Sequence, residues 1–252
     1  MTTPSLTGRV AVITGASKGL GKQMAESLAG AGAAIALAAR NAEQLDAVRA
    51  AITAQGGRAE AFVADVTSES GVAQLADQVR ARLGPPDILI NNAGINIRKP
   101  VHEFTLEEWT RVLATNLNGP FLCCRAFVPG MIDKRFGRIL NMTSIMSHVS
   151  LAGRTAYSAS KSGLLGMTKA LALELAPNNI TVNGISPGPF ATEMNTALIE
   201  DPVRNAEFLS KIPVGRWGRV EEIGALAVFL CSEAAGFITG TDILIDGGWT
   251  AQ

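Results

Sequence analysis

An excess of charge of either sign is absent from this chain. Lysine and arginine number 22, aspartate and glutamate also 22, so the formal net charge over 252 residues is zero. No uniform field therefore selects nucleic acid or an anionic membrane as partner. Long apolar stretches are missing too. The longest, Ala29 to Ala39, is interrupted by glycines and is too short to cross a bilayer. Cysteine is scarce: Cys123 and Cys124 are adjacent and Cys231 is distant, a spacing that gives neither a disulfide framework nor a metal site. Their expected role is that of small buried hydrophobes. The segment Met1 to Thr7 lacks the charged-then-apolar profile of a signal peptide. A cytoplasmic protein without metal is expected. No Pro/Ser-rich linker, charge block or internal repeat divides the chain, so residues 1–252 are read as one domain.

What is present is an alternation. Short apolar runs at Val10–Thr14, Ala34–Ala38, Ala61–Val63, Ile88–Ile90, Arg138–Asn141, Ile180–Asn183 and Ile243–Ile245 are separated by helical patterns. Examples are Leu20, Met24 and Leu28 on one stripe, Leu45 and Val48 after a capping Asn41, and Leu164, Met167, Leu171 and Leu175. Near-continuous apolar strands between helices predict a parallel sheet covered on both faces. With right-handed crossovers this is a Rossmann-like, doubly wound α/β fold.

The first strand runs into Gly15-Ala16-Ser17-Lys18-Gly19-Leu20-Gly21. Glycines there permit a sharp turn and let backbone N–H groups approach a pyrophosphate at a helix N-terminus. The spacing is G-x-x-x-G-x-G, so the G-x-G-x-x-G fingerprint is not met literally, and a ligand-free turn is the alternative. At the end of the second strand stands Arg40, with no acid before Glu43, while Lys18 lies in the turn. Two cations and no carboxylate favour NADP(H) over NAD(H). The alternative is that Arg40 only opens a solvated helix.

Tyrosine occurs once. Tyr157 lies four residues before Lys161, so on a helix the two share a face. A cation beside a phenol lowers its pKa from ~10 toward neutrality, which would suit an acid/base.

Together these residues resemble the short-chain dehydrogenase/reductase family over nearly the whole chain. The resemblance extends to Asp65-Val66, Asn91-Asn92-Ala93-Gly94, Asn116 in a long helix, Ser144 thirteen residues before Tyr157, Pro187-Gly188 followed by Thr192, and the ending Gly240-Thr241-Asp242 with Asp246-Gly247-Gly248. Met142-Thr143 and Phe190 are small departures from the family pattern, and Phe190 is expected to narrow the pocket. The resemblance implies an NADP(H)-dependent alcohol/ketone oxidoreductase with Tyr157 as acid/base. Lys161 would tune the phenol and bind the nicotinamide ribose, Ser144 would hydrogen-bond the substrate oxygen, and Asn116 would position a water that connects Lys161 to solvent. Asp65 and Val66 would hold adenine, Asn92, Ala93 and Gly94 would line the adenosine ribose side, and Pro187, Gly188, Phe190 and Thr192 would take the nicotinamide end. A homotetramer is also implied, with Phe121, Leu122, Phe229, Leu230, Phe237 and Trp249 as candidate contacts or ordinary core.

The loops bearing Arg98 and His148 should border the cleft, and residues 192–213 should form a helical lid carrying Met194, Leu198 and Phe208, with Trp217 beside it. These loops look like the sugar-acid branch of the family. Arg98 would then pair with a substrate carboxylate, or else is a surface cation; His148 is a substrate contact or a rim residue. A 3-oxoacyl thioester or a broad range of ketones is the alternative substrate. A dinucleotide-sensing binding protein without turnover is the alternative of another class.

Overall fold

Each run read above as a strand pairs into one sheet, whose central strands bury their side chains on both faces. A computed structural model of the chain describes residues 5–252, apart from the side chains of Met194 and Ala197. Residues 1–4 of the segment read for targeting, and the Met194 lid contact, lie outside what is described. The strands are β1 (Val10–Thr14), β2 (Ala34–Ala39), β3 (Arg58–Val63), β4 (Ile88–Asn91), β5 (Gly137–Met142), β6 (Ile180–Pro187) and β7 (Asp242–Ile245). All pair in parallel, in the order β3-β2-β1-β4-β5-β6-β7. Every residue of β1, β4 and β5 is buried, as strands covered on both faces must be.

Between them run α1 (Gly19–Gly30), α2 (Ala42–Ala54), α3 (Glu69–Leu83), α4 (Leu106–Leu113), α5 (Gly119–Lys134), α6 (Thr155–Leu175), α7 (Thr196–Ile199), α8 (Pro202–Leu209) and α9 (Val220–Cys231). One core layer joins Met24 and Leu28 of α1, Leu45 of α2 and Ile223 and Leu230 of α9 to the sheet. The other joins Val72 and Val79 of α3, Phe127 and Met131 of α5 and Leu175 of α6. Asn41 caps α2 as expected, its Oδ1 accepting from the Gln44 N–H at 2.9 Å.

The chain winds outward from β1 through β2 to β3, then returns to β4 on the other side of β1. The crevice at the carboxyl ends of β1 and β4 is thus the topological switch point, where ligands bind in such sheets. One difference from the sequence reading concerns Asn116. It does not lie in an uninterrupted helix but in a π-helical turn, residues 114–118, between α4 and α5. A π turn inserts an extra residue and re-aims one side chain, and such turns gather at functional sites. Among the described residues no helix is long and apolar enough to cross a membrane.

Candidate active site

The glycine turn at the end of β1 is locked from behind. Asn92, just past β4, donates its side-chain Nδ2–H to the Thr14 and Gly15 carbonyls, each at 3.0 Å. In return the Thr14 hydroxyl accepts from the Asn92 and Ala93 N–H groups at 3.0 and 3.1 Å. Gly15 has φ +64°, and a Cβ there would lie 2.9 Å from the Ala93 Cα; a Cβ on Gly21 would strike the Gly15 carbonyl oxygen. Gly19 has φ +56° with open space above it. At Lys18, α1 begins without a side-chain cap, and its first turn carries no acid. Unmet N–H groups, a positive helix end and open room at Gly19 fit a dinucleotide pyrophosphate. Ser17 is half-buried in this turn and Lys18 and Leu20 flank it.

Arg40 is exposed immediately after β2, and its charge acts on Asp65. The Asp65 carboxylate accepts from the Thr67 N–H and hydroxyl through Oδ1, at 2.9 and 2.8 Å. That backbone hydrogen bond first, and the Arg40 charge to a smaller extent, hold it below the ordinary carboxylate range. Val66 is buried and packs where a Cβ on Gly119 would lie 2.9 Å from it. The β2–β3 rim therefore presents a cation beside an anchored carboxylate.

At the far end of the cleft, Pro187 closes β6 and Gly188 crosses so tightly that a Cβ would lie 2.6 Å from the Asp246 Cα. The Phe190 side chain departs from expectation: it is 4% exposed and packs flat on Gly218, whose Cβ would lie 2.6 Å from its ring. The ring joins the core because Gly218 leaves it room, and it still lines a cavity with Pro189, Val214 and Gly247. Thr192 is half-buried, and no described side chain or backbone group takes its hydroxyl as a hydrogen-bond partner.

Tyr157 and Lys161 lie in the first two turns of α6 and do share a face, with Nζ 5.6 Å from the phenol ring centroid. The electrostatics differ from the sequence reading. Lys161 is 4% exposed and its ammonium donates to the Met142 carbonyl at 2.5 Å. Burial pushes its pKa down to about 8. Burial likewise pushes the Tyr157 phenol up from its ordinary value; the Ser144 hydroxyl and the charges of Arg154 and Arg98 oppose that shift, and Lys161 does not contribute. For the phenol, desolvation outweighs the opposing hydrogen bond and charges although the residue is only half-buried, whereas Lys161 is buried. Tyr157 is thus a protonated donor at neutral pH in the ligand-free protein. As the sole tyrosine, it supplies all phenolate absorbance, which should titrate above the ordinary ~10 in a spectroscopic pH titration of ligand-free protein. A midpoint near neutrality would contradict this geometry.

Ser144, at the end of β5, accepts from the Met146 N–H at 3.1 Å and acts on the phenol. Asn116 is fully buried. Its Oδ1 accepts from the Ile95 N–H at 2.8 Å, and its Nδ2 donates to the Ile95 carbonyl at 2.9 Å and to Ser160 Oγ at 3.0 Å. It therefore clamps the loop after Gly94 directly, leaving few sites for the water assigned to it. Gly94 sits among these groups: a Cβ there would lie 3.3 Å from Asn116 Oδ1 and 3.7 Å from Lys161 Nζ.

The rim residues divide. Arg98 is exposed on the loop after β4. His148, read as a substrate contact or a rim residue, places Nε2 at 2.6 Å from Asp242 Oδ2. That side chain is only 4% exposed and also receives the Ser186 hydroxyl at 2.7 Å. A buried carboxylate needs such partners, and this need takes one of the two ring nitrogens of His148. Residues 193–199 and 202–209 are helical, and Phe208 stacks on Trp217 with centroids 4.9 Å apart and meets Trp249 at 5.2 Å. Two side chains at the cleft had not been singled out. Arg154, the residue before α6, was hidden by its position in a loop of no pattern. Asn96, beside Arg98 on the same loop, has a buried Oδ1 with no partner among the described residues. Among the described residues no group of three His, Cys, Asp or Glu could hold a metal.

A doubly wound sheet with an open glycine turn at its switch point, and beside it a half-buried Tyr157 with buried Lys161 and Ser144, defines the class of dinucleotide-dependent oxidoreductases. A family model described as enoyl-(acyl carrier protein) reductase matches residues 15–250. Gluconate 5-dehydrogenase of Gluconobacter oxydans (strain 621H) is 39% identical over 248 residues, 98% of this chain and 97% of that one. D-threitol dehydrogenase of Mycolicibacterium smegmatis is 40% identical over 247 residues, 98% of this chain and 95% of its own. The crystal structure of a gluconate 5-dehydrogenase from Burkholderia cenocepacia J2315, in complex with NADP and tartrate, superposes with a TM-score of 0.94 at 36% identity, covering 98% and 97% of the two chains. The chain belongs to the short-chain dehydrogenase/reductase family and is an oxidoreductase.

Proposed function

We propose that this oxidoreductase interconverts a secondary alcohol and a ketone on a sugar acid of the gluconate type, with NADP(H) preferred over NAD(H). The observation that carries the reading is the meeting of Tyr157, Ser144 and Lys161 beside Gly94 at the switch point. A dinucleotide held by the turn at Gly15–Gly21 supplies the hydride acceptor for oxidation or the donor for reduction. Tyr157 holds a proton on its phenol oxygen and releases it to the substrate oxygen in reduction, and takes it back in oxidation. Ser144 Oγ hydrogen-bonds that same oxygen and steadies the charge developing there. Lys161, anchored on the Met142 carbonyl, keeps its ammonium within reach of the cofactor ribose. Asn116 acts as a positioning residue by fixing the Ile95 backbone beside Gly94.

The sugar-acid reading draws on the similarity to gluconate 5-dehydrogenases and on Arg98, an exposed guanidinium able to meet a carboxylate through two parallel hydrogen bonds. The deciding experiment measures kcat/KM for gluconate, 5-ketogluconate, a neutral polyol and a 3-oxoacyl thioester, with each of NADP(H) and NAD(H). A clear preference for the sugar acid supports the reading, and preference for the thioester replaces it. Because the phenol is pushed up by burial, reduction should hold its rate through neutral pH and fall only in alkali as Tyr157 loses its proton, while oxidation should rise over that same alkaline range.

Arg40 and Lys18 support NADP(H), since both are exposed cations at the adenosine end and no carboxylate follows β2 before Glu43. Arg40→Asp should lower the NADPH:NADH ratio of kcat/KM by about tenfold or more, the effect of removing one charge-assisted phosphate contact. An unchanged ratio would remove Arg40 from the site. A homotetramer is supported by exposed apolar side chains: Phe121 of α5 (50%), Leu173 of α6 (80%), and Phe237 (103%) near β7. Leu230, in contrast, is fully buried in the core. Light scattering should return four times the 26.3 kDa chain mass. Residues 192–213 form the lid of this reading, and the aromatic stack of Phe208 on Trp217 is the contact that seats it.

A further inference from the structure

The two cations that act on the Tyr157 phenol come from different loops. Arg98 follows β4, and Arg154 precedes α6. The backbone brings these loops together: the Lys99 N–H donates to the Gly153 carbonyl at 3.2 Å, so residues 98 and 154 flank one hydrogen bond. Gly153 makes the approach possible, with φ +75° and its missing Cβ 3.6 Å from the Lys99 carbonyl oxygen. Lys99, the third cation of this rim, is already neutralised by Glu108 at 2.5 Å. Neither Arg98 nor Arg154 forms an ion pair or a side-chain hydrogen bond among the described residues.

Arg154 is unusual in a second way. It is half-buried, and the groups that bear on it are its own burial, Arg98 and Tyr157, with no carboxylate among them. Two guanidiniums that push against each other without an acid between them are costly to keep together unless an anion joins them. The setting favours an anion further: α6, which starts at Arg154, has no side-chain cap and no acid in its first turn. The other potential counter-charges of the rim are engaged, Glu108 with Lys99 and Asp242 with His148, Ser186 and Thr143.

We infer that Arg154 is a specificity-determining residue that clamps a substrate carboxylate jointly with Arg98, placing the adjoining chain of hydroxyl carbons against Tyr157. This rests on the sugar-acid reading above and assigns it a second guanidinium. The planar forks give the carboxylate up to four parallel N–H donors and so fix its orientation as well as its charge. A neutral polyol would gain nothing from the pair, so the clamp would separate acid from alcohol substrates. It would also bring a negative charge close to the phenol, offsetting the two cations that now favour its ionisation.

The test uses Arg154→Gln and Arg154→Lys in the full-length enzyme with NADP(H), alongside Arg98→Met and the double variant. Two quantities are read: the acid-to-neutral ratio of kcat/KM, gluconate against threitol, and the inhibition constant of tartrate, a small hydroxy diacid. Arg154→Gln should lower the ratio about tenfold or more, chiefly through the KM for the acid, and raise the tartrate constant to a similar degree, with Arg154→Lys recovering part of each. The double variant should show less than the sum of the two single effects, since both residues hold one group. If wild type oxidises gluconate and Arg154→Gln leaves both quantities within about threefold, the clamp is overturned and the sugar-acid reading stands. If wild type turns over no sugar acid yet tartrate inhibits it and Arg154→Gln weakens that inhibition tenfold, the reading fails while the anion clamp holds. Absence of both gluconate turnover and tartrate inhibition in the wild type would overturn the two together.

Discussion

Replacing Tyr157 by Phe should lower turnover in both directions by about a thousandfold or more, within the range that a positioned proton donor contributes. The substitution removes one oxygen and keeps the ring against α6, so packing and folding are retained. Dinucleotide affinity should stay within a few-fold of wild type, since the turn at Gly15–Gly21 is untouched. Fluorescence titration with NADPH gives the affinity, and pre-steady-state and steady-state rates give the turnover. Near-normal turnover with the cofactor bound would remove Tyr157 from the chemistry. The Arg154 and Arg98 variants carry a linked expectation. Each takes a cation away from the phenol, so each should move the pH limb assigned to Tyr157 upward.

Gly21→Ala should be strongly damaging, because the added methyl would strike the turn that holds the dinucleotide. Gly21 has an ordinary helical backbone, so the cost is not one of φ but of space. A Cβ would collide with the Gly15 carbonyl oxygen and the Asn92 amide, the two groups that lock the turn. Neither can retreat without opening the Thr14–Asn92 hydrogen bonds that tie β1 to β4. A loss of about 1–3 kcal/mol in stability and more than about tenfold in dinucleotide affinity is expected. Gly30→Ala, at the other end of the same helix, is the control. Its Cβ would meet nothing within 4 Å, so the change should be neutral or stabilising by up to about 1 kcal/mol. Chemical denaturation and cofactor titration of the two variants would check both. Equal effects would show that the contacts at the turn do not matter.

The seven strands were legible because each carries a short apolar run, although polar residues such as Arg138, Asn141 and Asn183 lie buried within β5 and β6. The ends were less legible. β3 begins at Arg58, three residues before its apolar core, since edge positions at its start tolerate charge. The π turn at Asn116 carries no periodic signature; it is set by the bonds of one side chain to Ile95 and Ser160, partners 21 and 44 residues away. Phe190 read as a pocket residue from the family resemblance, which says nothing of how its ring packs. Only the absent side chain of Gly218, 28 positions on, draws the ring into the core.

By itself the sequence determined the doubly wound fold, the glycine turn at its first crossover and the pairing of Tyr157 with Lys161 on one helical face. Those features depend on local pattern and spacing, which a linear chain displays directly. The tertiary structure alone decided the protonation of that pair, because burial, and not the neighbour four residues away, sets both pKa values. It alone decided that His148 turns to Asp242, and that the loop of Arg154 meets the loop of Arg98. Desolvation and the meeting of distant loops are properties of three-dimensional packing, and no spacing along the chain encodes them.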